Sequence, residues 1–392
     1  MAASFLKRNK KYFIRIILLC IVLIPLWMWS LWMLIPKRKF VVAIIDKTVL
    51  TKKGQEHISL NWVLNQQKFA KNKSELYQGD QDYFGFFPLK GNDFRLKGLE
   101  RFSDNQLDHL SEDADMAYIT DAYGIFKNEW YDTNDEKERS PIVYGGMSTQ
   151  DVYFLQQMQA RHKLIITEFN CLGSPTKKMV RQDFENSFGI KWSGWIGRYF
   201  ESLDTSINLE LPKWMINRYK EQHNNKWPFT KSGIAFVRND DKVEILENKT
   251  HLNTEIPYII SSTEGQQYYH LPEAMKYSFW FDIISVDTRF NHVISSFAID
   301  ANAAGKAILQ NSGIPTSFPA ITTHINKDYR FFYFSADFCD NPIRISTSYF
   351  KGIHYFDWLM FNSRDLQERV SFFWKFYRPL LTRILEDYYK VK

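Results

Sequence analysis

The sequence predicts an α/β fold: a mainly parallel sheet flanked by helices, carrying an inserted α+β region and preceded by one transmembrane helix. Three observations predict it. Residues 16–35 form a 20-residue apolar run interrupted only by Pro25 and Ser30. Between about 40 and 204, β-branched runs of strand length alternate with segments whose apolar residues recur at helical spacing, the pattern of parallel strands joined by crossover helices. From about 205 the chain turns into short strand-like runs separated by turn residues.

A 20-residue apolar run matches the hydrocarbon thickness of a bilayer. Residues 13–36 are therefore expected to be a single-pass anchor in the lipid bilayer. Lys7, Arg8, Lys10 and Lys11 precede the run and Lys37, Arg38 and Lys39 follow it, a modest bias toward a cytoplasmic N-terminus at 1–12 with the bulk of the chain extracytoplasmic. "LWMLIPKRK" offers no small-residue cleavage site, which argues against a removed signal peptide. Residues 1–39 hold eight basic and no acidic residues, which leaves 42 basic against 44 acidic residues beyond them. The body is close to neutral, so there is no electrostatic case for nucleic acid. Three cysteines, one of them inside the apolar run, do not make a disulfide framework.

The elements follow in order. "FVVAIIDK" (40–47) reads as a strand and "EHISLNWVLNQQKFA" (56–70) as a helix, with "DYFGFFP" (82–88) stopped by Pro88. A short helix and the strand "MAYIT" occupy 105–120, and a charged loop follows at 128–141. The double glycine at 145–146 suits a tight turn rather than a phosphate loop, since the Lys-Ser/Thr pair is missing. Ser148 or Thr149 caps the next helix. In "KLIITEFNCLGSPTKK" (163–178) a strand enters a polar turn, Ser174 and Pro175 start a helix, and Gly189 ends it. Beyond 205, "GIAFVRNDDKVEIL" reads as two strands around an Asn-Asp-Asp turn, "FWFDIISVD", "HVISSFAID" and "YRFFYFSADF" as further strands, and 363–389 as an amphipathic tail kinked at Pro379.

In parallel α/β sheets ligands bind outside the carboxyl ends of the strands. Four of these strands end there in a carboxylate: Asp46, Asp121, Glu168 and Asp337. Glu168 draws most weight, because Glu is not a favoured turn residue and follows an apolar strand expected to be central. Burial and mutual repulsion can divide acid and base roles within such a cluster. Glu168 and Asp121 are the expected catalytic pair, with Asp46, Asp337 and Asn170 as binding residues.

Cys171, at the tip of the same turn, is the alternative nucleophile, with His324 as its base. The flanks Asn170, Leu172 and Gly173 do not give the small-residue spacing of a nucleophile elbow, and a structural cysteine is the simpler reading. The nine histidines are scattered and no cysteine pair is close, so neither a metal nor a cofactor is expected.

"MAYITDAYG", then "GGMSTQDVYFLQQMQARHKLIITEF", then "DFENSFGIKWSG", together with the late "RFFYFSADFCDNP", resemble the class I glutamine amidotransferase-like superfamily, in its degenerate trehalose-utilisation-type branch. The resemblance implies an amidotransferase-like, flavodoxin-like domain over about 40–204, an inserted α+β region at 205–325, and a returning strand with C-terminal amphipathic helices at 326–392. It places the family's elbow near Cys171 and its histidine near His324. Asn170 stands where the family has glycine and Asn326 where it has an acid, so the resemblance implies fold rather than glutaminase chemistry.

The functional expectation is an extracytoplasmic protein that binds, and in its catalytic form hydrolyses, a cell-envelope carbohydrate at the carboxylate edge. An envelope polysaccharide or a membrane protein is the expected partner. The alternative is a non-catalytic amidotransferase-like interaction module that uses the aromatic tail as its contact.

Overall fold

The computed structural model describes residues 15, 18–52, 56–131, 139–362 and 364–392. Five strands lie parallel: β1 (Val42–Asp46), β2 (Phe84–Pro88), β4 (Met116–Asp121), β5 (Leu164–Glu168) and β14 (Arg330–Phe334). They stand in the order β2-β1-β4-β5-β14. Counted along the chain, that is 2-1-3-4-5, the doubly wound order in which the strand sequence reverses beside the first strand.

Antiparallel strands extend this block on both sides. β3 (Phe94–Leu96) pairs with β2 at one edge. At the other, β13 (Ser317–Ile325), β12 (His292–Ala298), β9 (Tyr258–Ser261) and β10 (Ala274–Lys276) follow β14, which completes a ten-stranded sheet. The mainly parallel sheet expected from sequence is thereby corrected to a mixed one. The reason is local: β13 returns into β14 through a short turn, and a tight turn can join only antiparallel neighbours. A second, four-stranded sheet has the order β8 (Val243–Glu247), β7 (Gly233–Arg238), β6 (Ile190–Phe200), β11 (Phe281–Val286).

The central residues of the parallel strands are mostly apolar, because both faces are covered. One face carries Val42, Ile44, Met116, Tyr118, Leu164, Ile166, Phe332 and Phe334 in one core. That core includes residues of α2 (Ile58–Gln66) and α7 (Arg378–Tyr389). The alternate residues Ala43, Ile45, Ala117, Ile119, Ile165, Phe331 and Tyr333 meet α3 (Asp104–Asp113), α4 (Thr149–Ala160) and α5 (Lys178–Phe188) on the other face. Ser148 caps α4 by accepting from the Asp151 N–H, the capping box that its spacing suggests. Helix α5 begins at Lys178, later than Pro175, after a turn in which the Thr176 N–H donates to the Gly173 carbonyl. Gly189, at φ 64°, closes it in the left-handed region that favours glycine.

The expected single-pass anchor is also corrected. Among the described residues no helix is long and apolar enough to cross a membrane. Helix α1 (Ile24–Leu34) is 11 residues long, with Pro25 in its first turn starting it afresh. One side of it packs on the protein's own body. Trp32 is buried, with its ring 5.0 Å from that of Tyr349 and its Nε1 donating to the Asn65 carbonyl at 3.2 Å. The single-pass, signal-anchor localisation falls with this finding, and the 1–12 segment lies outside the described residues. The C-terminal tail differs as well. A π-helical segment, Phe373–Tyr377, precedes Pro379, and α7 spends its apolar face (Leu380, Leu381, Ile384 and Leu385) in the main core.

Candidate functional site

The parallel strands present their carboxyl ends at one sheet edge, and the four predicted carboxylates lie along it. Asp46 ends β1, Asp121 ends β4, Glu168 ends β5, and Asp337 follows β14 by three residues. The reversal of strand order lies between β1 and β4, so Asp46 and Asp121 flank the point where such sheets open for ligands.

Asp121 is held from three directions. Thr48 Oγ1 donates to its Oδ1 at 2.5 Å, the Tyr123 N–H donates to the same oxygen at 2.6 Å, and Asn170 Nδ2 donates to Oδ2 at 2.9 Å. Burial pushes its carboxyl up to about 7, further than these donors pull it down. Asp46 is wholly buried, with Oδ2 2.6 Å from His57 Nδ1, while His57 Nε2 sits 2.8 Å from the Gly79 carbonyl oxygen. Both ring nitrogens of His57 thus face oxygen atoms.

Glu168 is enclosed rather than presented. Its Oε1 accepts from the Tyr118 hydroxyl, and its Oε2 accepts the N–H groups of Phe338 at 3.0 Å and Cys339 at 2.9 Å. Tyr118 in turn meets the Tyr377 hydroxyl at 3.0 Å, and Tyr377 donates to Cys339 Sγ at 3.2 Å. Burial pushes the Glu168 carboxyl up to about 8. Its exposure is 0%, so no ligand reaches it. It fastens the turn after β14 to the end of β5.

Cys171 and His324 do not meet. Cys171 follows the carboxyl end of β5, while His324 pairs with Phe331 near the start of β14, at the opposite edge of the same sheet. The Cys171 thiol is buried, and burial pushes it well above its ordinary value. His324 instead stacks on Tyr329 and faces Asp328 across 2.9 Å.

Three groups at this edge were not foreseen. Lys47 is buried beside Asp46, its Nζ 2.6 Å from Asp151, 3.3 Å from Glu100 and 3.0 Å from the Gly146 carbonyl oxygen. Burial alone would lower its pKa, but the two carboxylates outweigh it and the net direction is up. Glu56 and Asp340 stand near Asp337, one carboxylate oxygen of each of the three lying within 4.8 Å of the others. "DK" at the end of the first strand was the signal for Lys47. For Glu56, placed just ahead of a helix, nothing marked it as an edge residue.

Beside Asn170 the two sheets leave a cavity of about 260 Å³. Tyr123 and Asn170 line it from the main sheet, and Trp192, Arg238 and Asn239 from the second. Trp214, on α6 (Lys213–Gln222), closes one side under the Arg139 guanidinium, 4.2 Å from its ring, and Arg139 is paired with Asp241 at 2.6 Å. A side chain at Gly173 would put its Cβ 3.7 Å from the Trp192 ring, so glycine leaves the indole edge clear.

No protein-family model matches the chain, and no curated protein matches it. Solved structures give distant likenesses. A β-galactosidase from Bacillus circulans aligns at 9% identity and a TM-score of 0.31, over 76% of this chain and 29% of its own. A ThuA-like protein from Bacteroides uniformis aligns at 10% identity and 0.33, over 76% and 82%. A cytoplasmic protein from Salmonella typhimurium aligns at 9% and 0.34, over 89% and 99%. This chain spans less than a third of the β-galactosidase it matches. At these scores the likenesses assign neither a family nor an activity.

Proposed function

We propose that this chain is a carbohydrate-binding α/β protein whose ligand occupies the cavity between the two sheets, over Asn170. The observation that carries the reading is the lining. A pyranose offers an apolar C–H face and a rim of hydroxyls, and the cavity offers Trp192, Trp214 and Tyr123 beside Asn170, Arg238 and Asn239. Such a mixture of aromatic walls with a few convergent polar groups is the usual composition of a small-molecule site. Asn170 links the cavity to the strand-end edge, since its amide is oriented by Asp121.

Hydrolysis by Glu168 and Asp121 is not part of the proposal, because the Glu168 carboxyl has no path to a ligand. The parallel half is read as a degenerate amidotransferase-like domain. Its 2-1-3-4-5 order supports that reading, as does a cysteine after the fourth parallel strand that has lost its partner histidine. The test is a panel of neutral, amino and acidic sugars titrated against tryptophan fluorescence. A saturable change is expected in the native protein, with at least a tenfold weakening in Trp214→Ala at unchanged circular dichroism. A panel that leaves the fluorescence unchanged would overturn the reading.

A further inference from the structure

We propose that Glu56, Asp337 and Asp340 form a binding site for one divalent cation of calcium size, separate from the sugar cavity. One oxygen from each carboxylate lies within 4.8 Å of the others. An ion about 2.3–2.6 Å from each of its oxygens holds opposite ligands about 5 Å apart, so the three can share one ion without rearrangement.

A second observation comes from Asp337 itself. Its side chain is 5% exposed, and among the described residues no donor or cation lies in hydrogen-bond or ion-pair contact with its carboxylate. A buried carboxylate in that state is costly unless something neutralises it. Its backbone is pinned on both sides, the N–H to the Trp280 carbonyl at 3.3 Å and the carbonyl to the Tyr277 hydroxyl at 2.9 Å. Glu168 fixes the next two residues, so the side chain is held in place while lacking a partner. The neighbouring guanidinium, Arg369, is taken up by Asp340, to whose Oδ2 and carbonyl oxygen it donates at 2.9 and 2.7 Å.

The place agrees with the ligand. The cluster lies at the carboxyl edge of the parallel block, the same edge as Asp46 and Asp121. Aspartate and glutamate oxygens with no nitrogen or sulfur ligand suit a hard cation rather than zinc.

The test uses the full chain stripped with EDTA. Terbium should give a one-to-one sensitised luminescence signal that calcium displaces, and calcium should raise the thermal midpoint by several degrees while magnesium does so less. Asp337→Asn and Glu56→Gln should each abolish the terbium signal and the calcium shift. Without metal, Asp337→Asn should melt no lower than the native chain, since it removes repulsion. A merely structural aspartate would instead lose stability with its metal response unchanged. If Asp337→Asn fails to fold, half-buried Glu56→Gln gives the reading. The absence of a one-to-one terbium signal in the native chain, or its persistence in Glu56→Gln, overturns the proposal. Sugar binding is measured separately and stands or falls independently.

Discussion

Asn170 Nδ2 donates to Asp121 Oδ2 at 2.9 Å from a backbone held at φ 67°, so the residue facing the cavity and the carboxylate at the strand end behave as one unit. Asparagine suits both demands, tolerating the left-handed region and supplying the amide. Asn170→Gly keeps the backbone but removes the donor, and should weaken sugar binding roughly tenfold through loss of a polar contact. Asn170→Ala loses the donor as well and adds left-handed strain, which makes it less stable than the glycine variant by about 1 kcal/mol. Equal stability of the two in urea unfolding would show that the strained backbone is not what selects asparagine.

The buried carboxyls set a direction for stability against pH. Glu168 is pushed up to about 8, and Asp121 and Asp282 to about 7, by burial in each case. In the unfolded chain such groups release their protons near pH 4, whereas in the folded chain they keep them. Their contribution is therefore complete below about pH 4 and is lost as pH rises through 7 to 8, at about 1.4 kcal/mol per pH unit for each retained proton. Urea midpoints in EDTA should fall from pH 5 to pH 8, and Glu168→Gln, which stays neutral, should flatten the slope. A midpoint that rises over that interval would contradict the assignment.

Lys47 is predicted to be the costliest single truncation at this edge. Its ammonium is enclosed with Asp151 and reaches Glu100, and removing it leaves the Asp151 carboxylate buried without its cation. Lys47→Ala should cost about 3–5 kcal/mol, the range for breaking one side of a buried pair. Lys47→Ala with Asp151→Ala should cost clearly less than the two singles added together. Additive losses in denaturant unfolding would show the pair to be uncoupled.

The sequence disclosed the elements that repeat a period, and less of what depends on partners far along the chain. "VVAIID", "MAYITD" and "LIITE" are short apolar runs ending in a carboxylate, and they emerge as adjacent parallel strands sharing one edge. The β13-to-β14 return is a tight turn and so antiparallel, but that β14 then joins β5, from far earlier in the chain, is something no window of sequence reports. The apolar run at 16–35 matched a bilayer span by length alone. That Trp32 is buried beside Tyr349, more than 300 residues on, lies outside any hydropathy argument. Glu168 stands out in the sequence as an unusual strand end, yet whether such a residue faces a cleft or the turn behind it depends on Phe338 and Cys339. The group most exposed to crowded charge, Glu56, carried no local signal because its neighbours Asp337 and Asp340 lie almost 300 positions away.

Cys171 gives the last prediction, and it separates the thiol reading from the cavity reading. The cysteine is fully buried behind Asn170, and its carbonyl accepts from Thr176 Oγ1 at 2.8 Å, so the turn holds it by its backbone and leaves the sulfur in the core with Leu172 and Trp192. A thiol pushed up by burial is protonated at neutral pH, and the thiolate is the reactive form. Iodoacetamide applied to the folded chain should therefore modify exposed Cys20 and spare Cys171 and Cys339, with both labelled only after denaturation. Cys171→Ala should retain sugar binding, losing only the contacts of one sulfur atom, on the order of 1 kcal/mol of stability. Rapid labelling of native Cys171, or a loss of binding in Cys171→Ala at unchanged stability, would return the chemistry of this turn to the sulfur.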